Sequence, residues 1–213
     1  MACGCLQKAG RSIDRLLHSQ DPDSQVLRVH YFSAPALGRF ATHGDDSVVA
    51  QQSYLRALQH RNPDRLVMTM GKHSLDNKGT LLPEYVEGQP YDRTRRVRVW
   101  KLEEKQTDVN LALAMYRDAA SHAFQQLVVC SNDSDVEPVL KAIREDFPQI
   151  RLGVVTPRMP PDTHRSTGRA VSSSLSQQAH WTRGYLLDAE LEAAQMPSRV
   201  QTGKKPISKP SHW

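Results

Sequence analysis

Apolar and polar residues alternate along this chain with two different periods. Short apolar or alternating runs mark strands at Val26–Ser33, Leu66–Met70, Arg96–Leu102, Gln126–Cys130 and Arg151–Val155. Helical spacing marks Leu6–Leu17, Val48–His60 capped by Ser47, a helix after Thr107, another running from Val136 to Phe147, and a last one over Arg183–Ala194. The helix after Thr107 is expected to use Thr107 as its N-cap and to bury Val109, Ala112, Leu113, Tyr116, Ala119 and Ala120. Asp21-Pro22-Asp23 and Arg61-Asn62-Pro63-Asp64 read as breaks, and Gly38–Asp46 as a loop. Gly71–Asp92, with Gly79, Pro83, Gly88 and Pro90, reads as irregular. Substrate contacts gather on long loops after strands, which singles out Lys72, His73 and Lys78.

Strands alternating with helices predict an α/β domain, a mostly parallel sheet with helices on both faces. Such folds place their chemistry at the carboxyl ends of strands, where helices begin. Two of these junctions are acidic. Glu103-Glu104-Lys105-Gln106-Thr107-Asp108-Val109-Asn110 leads into one helix, and Ser131-Asn132-Asp133-Ser134-Asp135 leads into the next. Clustered carboxylates are the usual ligands of a hard cation such as Mg²⁺ or Mn²⁺. Each residue also has a plainer reading. Asp108 suits the first turn of a helix by its charge alone, and Asp133 or Ser134 can serve as an N-cap with Glu137 behind it. A cap needs one such residue, and the second junction has four in a row.

The order of these motifs resembles the NYN domain, the LabA-like branch of the PIN-like nuclease superfamily. The similarity runs from about Leu27 to Pro157 and ends in Val154-Val155-Thr156-Pro157. Gln195-Met196-Pro197 resembles the turn that closes the last helix of such chains. The resemblance implies a Rossmann-like (PIN-like) α/β/α sandwich with a C-terminal helical extension. It also implies metal-dependent hydrolysis of RNA, with Mg²⁺ or Mn²⁺ held by Asp108, Asp133 and Asp135. Glu104 would be a fourth catalytic carboxylate, Lys105 would face the phosphate, Asn110 and Asn132 would orient water or ribose, and Ser131 would fix the turn. Family members open with a central strand ending in Asp-Gly-x-Asn, and this chain has no such segment. The expectation is therefore a domain whose sheet lacks its first central strand, with four strands flanking the gap, in a shortened version of a longer protein. The rival expectation is a catalytically impaired module that binds RNA or a protein.

Composition narrows the choice of function classes. The chain has 213 residues, a formal net charge of +5 and a pI near 9.2, which permits a polyanionic partner without requiring one. Arg93, Arg95, Arg96 and Arg98 precede the site, and Lys204, Lys205 and Lys209 lie in the tail. Cys3-x-Cys5 is too short and isolated for a zinc site, and Cys130 reads as a small apolar residue in a strand. The cysteine usage predicts a reducing, cytoplasmic setting. Neither an apolar run of about 20 residues nor a signal-peptide core occurs, so no membrane is expected, and a homo-oligomer stays open. Absence of Gly-x-Ser-x-Gly and of a phosphate-loop sequence argues against serine hydrolases and phosphate-loop ATPases. The organisation expected is 1–160 as the NYN domain, 161–182 as a flexible linker, 183–197 as a C-terminal helix and 198–213 as a basic disordered tail.

Overall fold

The computed structural model describes residues 14, 17–160 and 170–211. Most of the helix expected at Leu6–Leu17, and both cysteines of Cys3-x-Cys5, lie outside these residues. The fold is mixed α/β, built from short parallel and antiparallel sheets. Strands β1 (Val29–Ser33) and β2 (Leu66–Met70) pair in parallel and are joined through helix α1 (Asp45–Arg61). Tyr31 and Leu66 bury against Tyr54 and Leu58 of α1, and Met196 from the C-terminal segment closes this small core.

A second parallel sheet holds β7 (Gln126–Cys130), β8 (Arg151–Val155) and β9 (Trp181–Arg183), in that order. Four of the five residues of β8 are buried, as a central parallel strand requires. Its Gly153 is needed for close approach: a Cβ there would run into the indole ring of Trp181, whose Nε1–H donates to Gln126 Oε1 at 2.9 Å. Helix α3 (Glu137–Asp146) buries Val139, Leu140 and Ile143 against this sheet, together with Leu175 of α4 (Ser173–Gln178). Three strands, Leu66–Met70, Gln126–Cys130 and Arg151–Val155, lie where the sequence places them.

Between the two sheets in sequence lies an antiparallel arm. Strands β3 (Lys72–Leu75) and β6 (Leu102–Lys105) pair at its base, and β4 (Thr80–Pro83) and β5 (Arg96–Val99) pair further out. The stretch expected to be irregular therefore contains two strands. The strand expected over Arg96–Leu102 divides between β5 and β6, and both belong to this arm and not to a parallel sheet.

Helix α2 (Thr107–Ala120) follows the arm, and its buried face agrees with the expected one at Ala112 and Ala119 but not at Val109, Leu113, Tyr116 and Ala120. Val109 and Leu113 are 63% and 49% exposed. The face packed inward carries Leu111, Ala112, Met115, Asp118 and Ala119. The expected helix at Arg183–Ala194 is instead the end of β9 followed by α5 (Asp188–Ala193), because Arg183 continues the strand pairing and then anchors the helix through Glu190. The C-terminal residues, expected to be disordered, include the strand pair β10 (Arg199–Val200) and β11 (Ile207–Ser208), with Val200 buried. No helix among the described residues is long and apolar enough to cross a membrane.

Candidate functional site

The carboxyl ends of β1 and β2 meet the start of α2 through tight backbone packing. Gly71 N–H donates to the Ser33 carbonyl at 2.7 Å. A Cβ on Gly71 would overlap the Thr107 hydroxyl and lie 2.7 Å from the Lys105 carbonyl, so this crossing point accepts only glycine. Gln106 is the N-cap residue of α2, in the left-handed region at φ 77°, and Thr107 is already inside the helix. A non-glycine residue there costs on the order of 1–3 kcal/mol, and such strain collects at functional turns. The Thr107 hydroxyl donates to Glu104 Oε1 at 2.5 Å, which fixes Glu104 beside the first turn of α2.

The second junction is a capped turn. Ser131 Oγ accepts from Asp133 N–H at 3.0 Å, and Asp133 Oδ1 accepts from Asp135 N–H at 3.1 Å. Asp133 thus caps the 3-10 turn Ser134–Val136, the plainer of its two readings, and Ser131 holds the residue before that turn. The Asn132 side chain is engaged by main chain. Its Nδ2 donates to the Ala170 carbonyl at 2.9 Å and its Oδ1 accepts from Ser172 N–H at 2.8 Å, so its amide clasps the segment leading into α4.

The two junctions share one electrostatic field. Partial loss of solvent, and then the charges of Asp133, Asp135 and Glu104, push the Asp108 carboxyl above the usual carboxylate range. Asp108 is exposed, so water screens part of this repulsion. Asp108 therefore feels the charge of each of the other three carboxylates singled out from sequence. Lys105 is held by Glu103 at 2.9 Å, and Glu103, also held by Lys101, is pulled down to about 2 by these two ammonium groups. Asn110 lies in the first turn of α2, its N–H donating to the Gln106 carbonyl at 2.8 Å. His73 stands across from Glu104 in the β3–β6 pairing, with its Nδ1 buried and without a hydrogen-bond partner.

At the opposite end of α2 lies a group that the sequence reading passed over. Asp118, buried on the helix, holds Arg28 Nη1 at 2.9 Å and lies 3.0 Å from His30 Nε2. The His30 contact has ion-pair distance but lies off the hydrogen-bond line, since neither ring nitrogen of His30 has a hydrogen-bond partner. An Asp among alanines on a helix, with Arg and His at alternate positions of a strand, was the available signal.

No family profile matches the chain, and no solved structure matches it. The chain is 34% identical over 187 residues to 6-hydroxy-3-succinoylpyridine 3-monooxygenase HspA of Pseudomonas putida. That alignment covers 87% of this chain but 57% of the relative, so the chain spans little more than half of that protein. The relative is an oxidoreductase, which overturns the expected ribonuclease, an RNA hydrolase. The expected Mg²⁺ or Mn²⁺ is overturned as well. No three His, Cys, Asp or Glu side chains among the described residues are placed to hold a metal ion, so Asp108, Asp133 and Asp135 repel one another without closing into a ligand set.

Proposed function

We propose that this chain is an oxidoreductase-type domain that binds a small hydroxylated N-heteroaromatic molecule at the acidic junction and exchanges a proton with it through Asp108. The observation that carries this reading is the 34% identity to a 6-hydroxy-3-succinoylpyridine monooxygenase across 87% of the chain. A hydroxyl beside a ring nitrogen offers one donor and one acceptor side by side. A carboxyl group can meet both at once, and one with a raised pKa keeps its proton closer to neutral pH. Asp133, Asp135 and Glu104 supply the field that raises Asp108. Lys72 and Lys105, register partners at the base of the arm, supply positive charge for an acidic substituent such as a succinoyl carboxylate.

Monooxygenation also needs a two-electron donor, and the junction does not fit a dinucleotide. The sequence has no Gly-x-Gly-x-x-Gly, and the helix start that would receive a pyrophosphate carries Asp108, within the field of two further aspartates. The junction's part is therefore confined to the substrate and its proton. In architecture alone, we read the parallel strands with their acidic ends as NYN-like and Rossmann-like. An experimental structure with β1 and β7 packed on opposite sides of α2 would refute that lineage. The functional test is titration of the purified chain with 6-hydroxy-3-succinoylpyridine, followed by absorbance, with mass spectrometry for an added oxygen when dioxygen and a reduced nicotinamide are supplied. Saturable binding supports the reading, and its absence overturns it.

A further inference from the structure

Helix α2 is apolar on two sides. Leu111, Ala112, Met115 and Ala119 pack into the core. Val109, Leu113, Tyr116 and Ala120 form a second stripe, and all four are exposed. At 3.6 residues per turn these four fall within about 60° of the helix circumference. Their steps of four, three and four residues are those of a coiled-coil seam. A surface helix with one buried face normally carries charge on the other. Here Asn110 and Arg117 run along one border of the stripe, and no charged residue interrupts it.

The stripe is rigid at its centre and unlike in charge at its two ends. Tyr116 is held in place: its hydroxyl donates to Asp146 Oδ2 at 2.7 Å, and its ring meets Phe147 edge-on with centroids 5.4 Å apart. An aromatic side chain already fixed in this way loses little freedom when it is covered. The start of α2 is acidic, with Asp108 in the first turn and Glu104 bonded to Thr107. The end is basic, with Arg117 in the last turn. The helix dipole has its positive pole at the acidic end and its negative pole at the basic one.

We propose that this stripe is the interface of a homodimer, in which α2 packs against α2 of a second copy, antiparallel across a two-fold axis that passes between Leu113 and Tyr116. The occupant is a second copy because the stripe is self-complementary when reversed, as a two-fold contact requires. Leu113 then meets Tyr116 of the partner subunit at the centre, and Val109 meets the partner's Ala120 at each end. Large residues fall against large at the middle, and a branched one against a small one at the rims. A parallel pair would instead stack Tyr116 on its own copy and leave a gap between the two Ala120 residues. It would also bring the two acidic helix starts together, whereas the antiparallel pair sets each acidic start beside the basic end of its partner. A helix of this length is about 21 Å long, too short to bury the ~800 Å² per copy of a standard interface. The dimer is therefore a reversible, concentration-dependent one.

Sedimentation equilibrium of the full chain over a wide concentration range tests the interface. The wild type shows a monomer–dimer equilibrium, and Leu113→Glu, which places a charge in the seam, weakens it at least about tenfold. Val49→Glu, at an apolar residue of α1 that is just as exposed, leaves it unchanged. Far-UV circular dichroism confirms that both variants keep the fold, as expected of substitutions at exposed positions. A chain that stays monomeric up to about 1 mM overturns the proposal, whether the stripe then serves a different protein or a membrane. A dimer that Leu113→Glu leaves intact, or that Val49→Glu weakens equally, overturns it as well. Orientation is read by mild oxidation in parallel with the wild type as a control for the native cysteines. The double variant Val109→Cys with Ala120→Cys forms a covalent dimer, and Val109→Cys alone does not. Efficient cross-linking by the single variant would mean a parallel pair and would overturn the antiparallel assignment.

Discussion

Asp118→Ala is the most informative single perturbation of the scaffold, because this carboxylate ties the site helix to β1. Its side chain is 13% exposed, and its partners Arg28 and His30 are 45% and 22% exposed. Exposed ion pairs contribute about 0–1 kcal/mol, and breaking a fully buried pair costs about 3–5 kcal/mol. Arg28 can regain water once its partner is gone, and the buried end of His30 cannot, so the expected loss is about 1.5–2.5 kcal/mol, between those limits. At roughly 2–4 °C per kcal/mol for a chain of this size, the melting temperature falls by about 3–10 °C. Urea unfolding followed by circular dichroism measures the loss. A cycle with Arg28→Ala should show a coupling of about 1 kcal/mol. A loss below about 0.5 kcal/mol, or strict additivity, would show that the Asp118 contacts do not hold α2 against β1.

Three further outcomes follow from the site and its supports. Asp108→Asn should stabilise the protein at neutral pH by about 0.5–2 kcal/mol, since it removes like-charge repulsion at a functional position. The raised carboxyl binds its proton more tightly folded than unfolded, so wild-type stability falls as pH rises from the ordinary carboxylate range through the folded value. The advantage of the variant, read by thermal melts, should therefore fade at acid pH and in high salt; an advantage independent of both would contradict the shared field. Gly153→Ala should cost more than about 2 kcal/mol, because the Trp181 ring must move out of the sheet. Trp181 fluorescence reports the movement, and an unshifted spectrum with unchanged stability would refute the packing. Asn132→Ala removes both anchors of the segment at Ala170 and Ser172, so cleavage near residue 170 by a trace protease should accelerate, while an unchanged rate would contradict the clasp.

Legibility from sequence followed burial. Leu66–Met70, Gln126–Cys130 and Arg151–Val155 could be read because a short apolar run between turn residues has few other uses. The face of α2 could be read only at Ala112 and Ala119. Val109, Leu113 and Tyr116 form a valid helical stripe, but periodicity does not say which stripe has a partner, and the inward face is built around Asp118, Ala119 and Met115. Glycines and prolines concealed the arm, because they interrupt both periods while antiparallel pairing tolerates them at its ends. That the charges of Asp133, Asp135 and Glu104 would act on Asp108 was legible, since strand ends lie on one side of the sheet in this fold class. Their chemistry was not: a set of carboxylates can bind a cation or hold a proton, and spacing along the chain does not separate the two uses.

The account depends most on a hydroxylated heteroaromatic ring meeting Asp108. The direct measurement is the absorbance of 6-hydroxy-3-succinoylpyridine during pH titration, with wild type and with Asp108→Asn. The account predicts saturable binding to wild type whose strength follows the Asp108 protonation step, and binding at least about tenfold weaker, without that step, in the variant. Equal binding and equal pH dependence in the two proteins would contradict it.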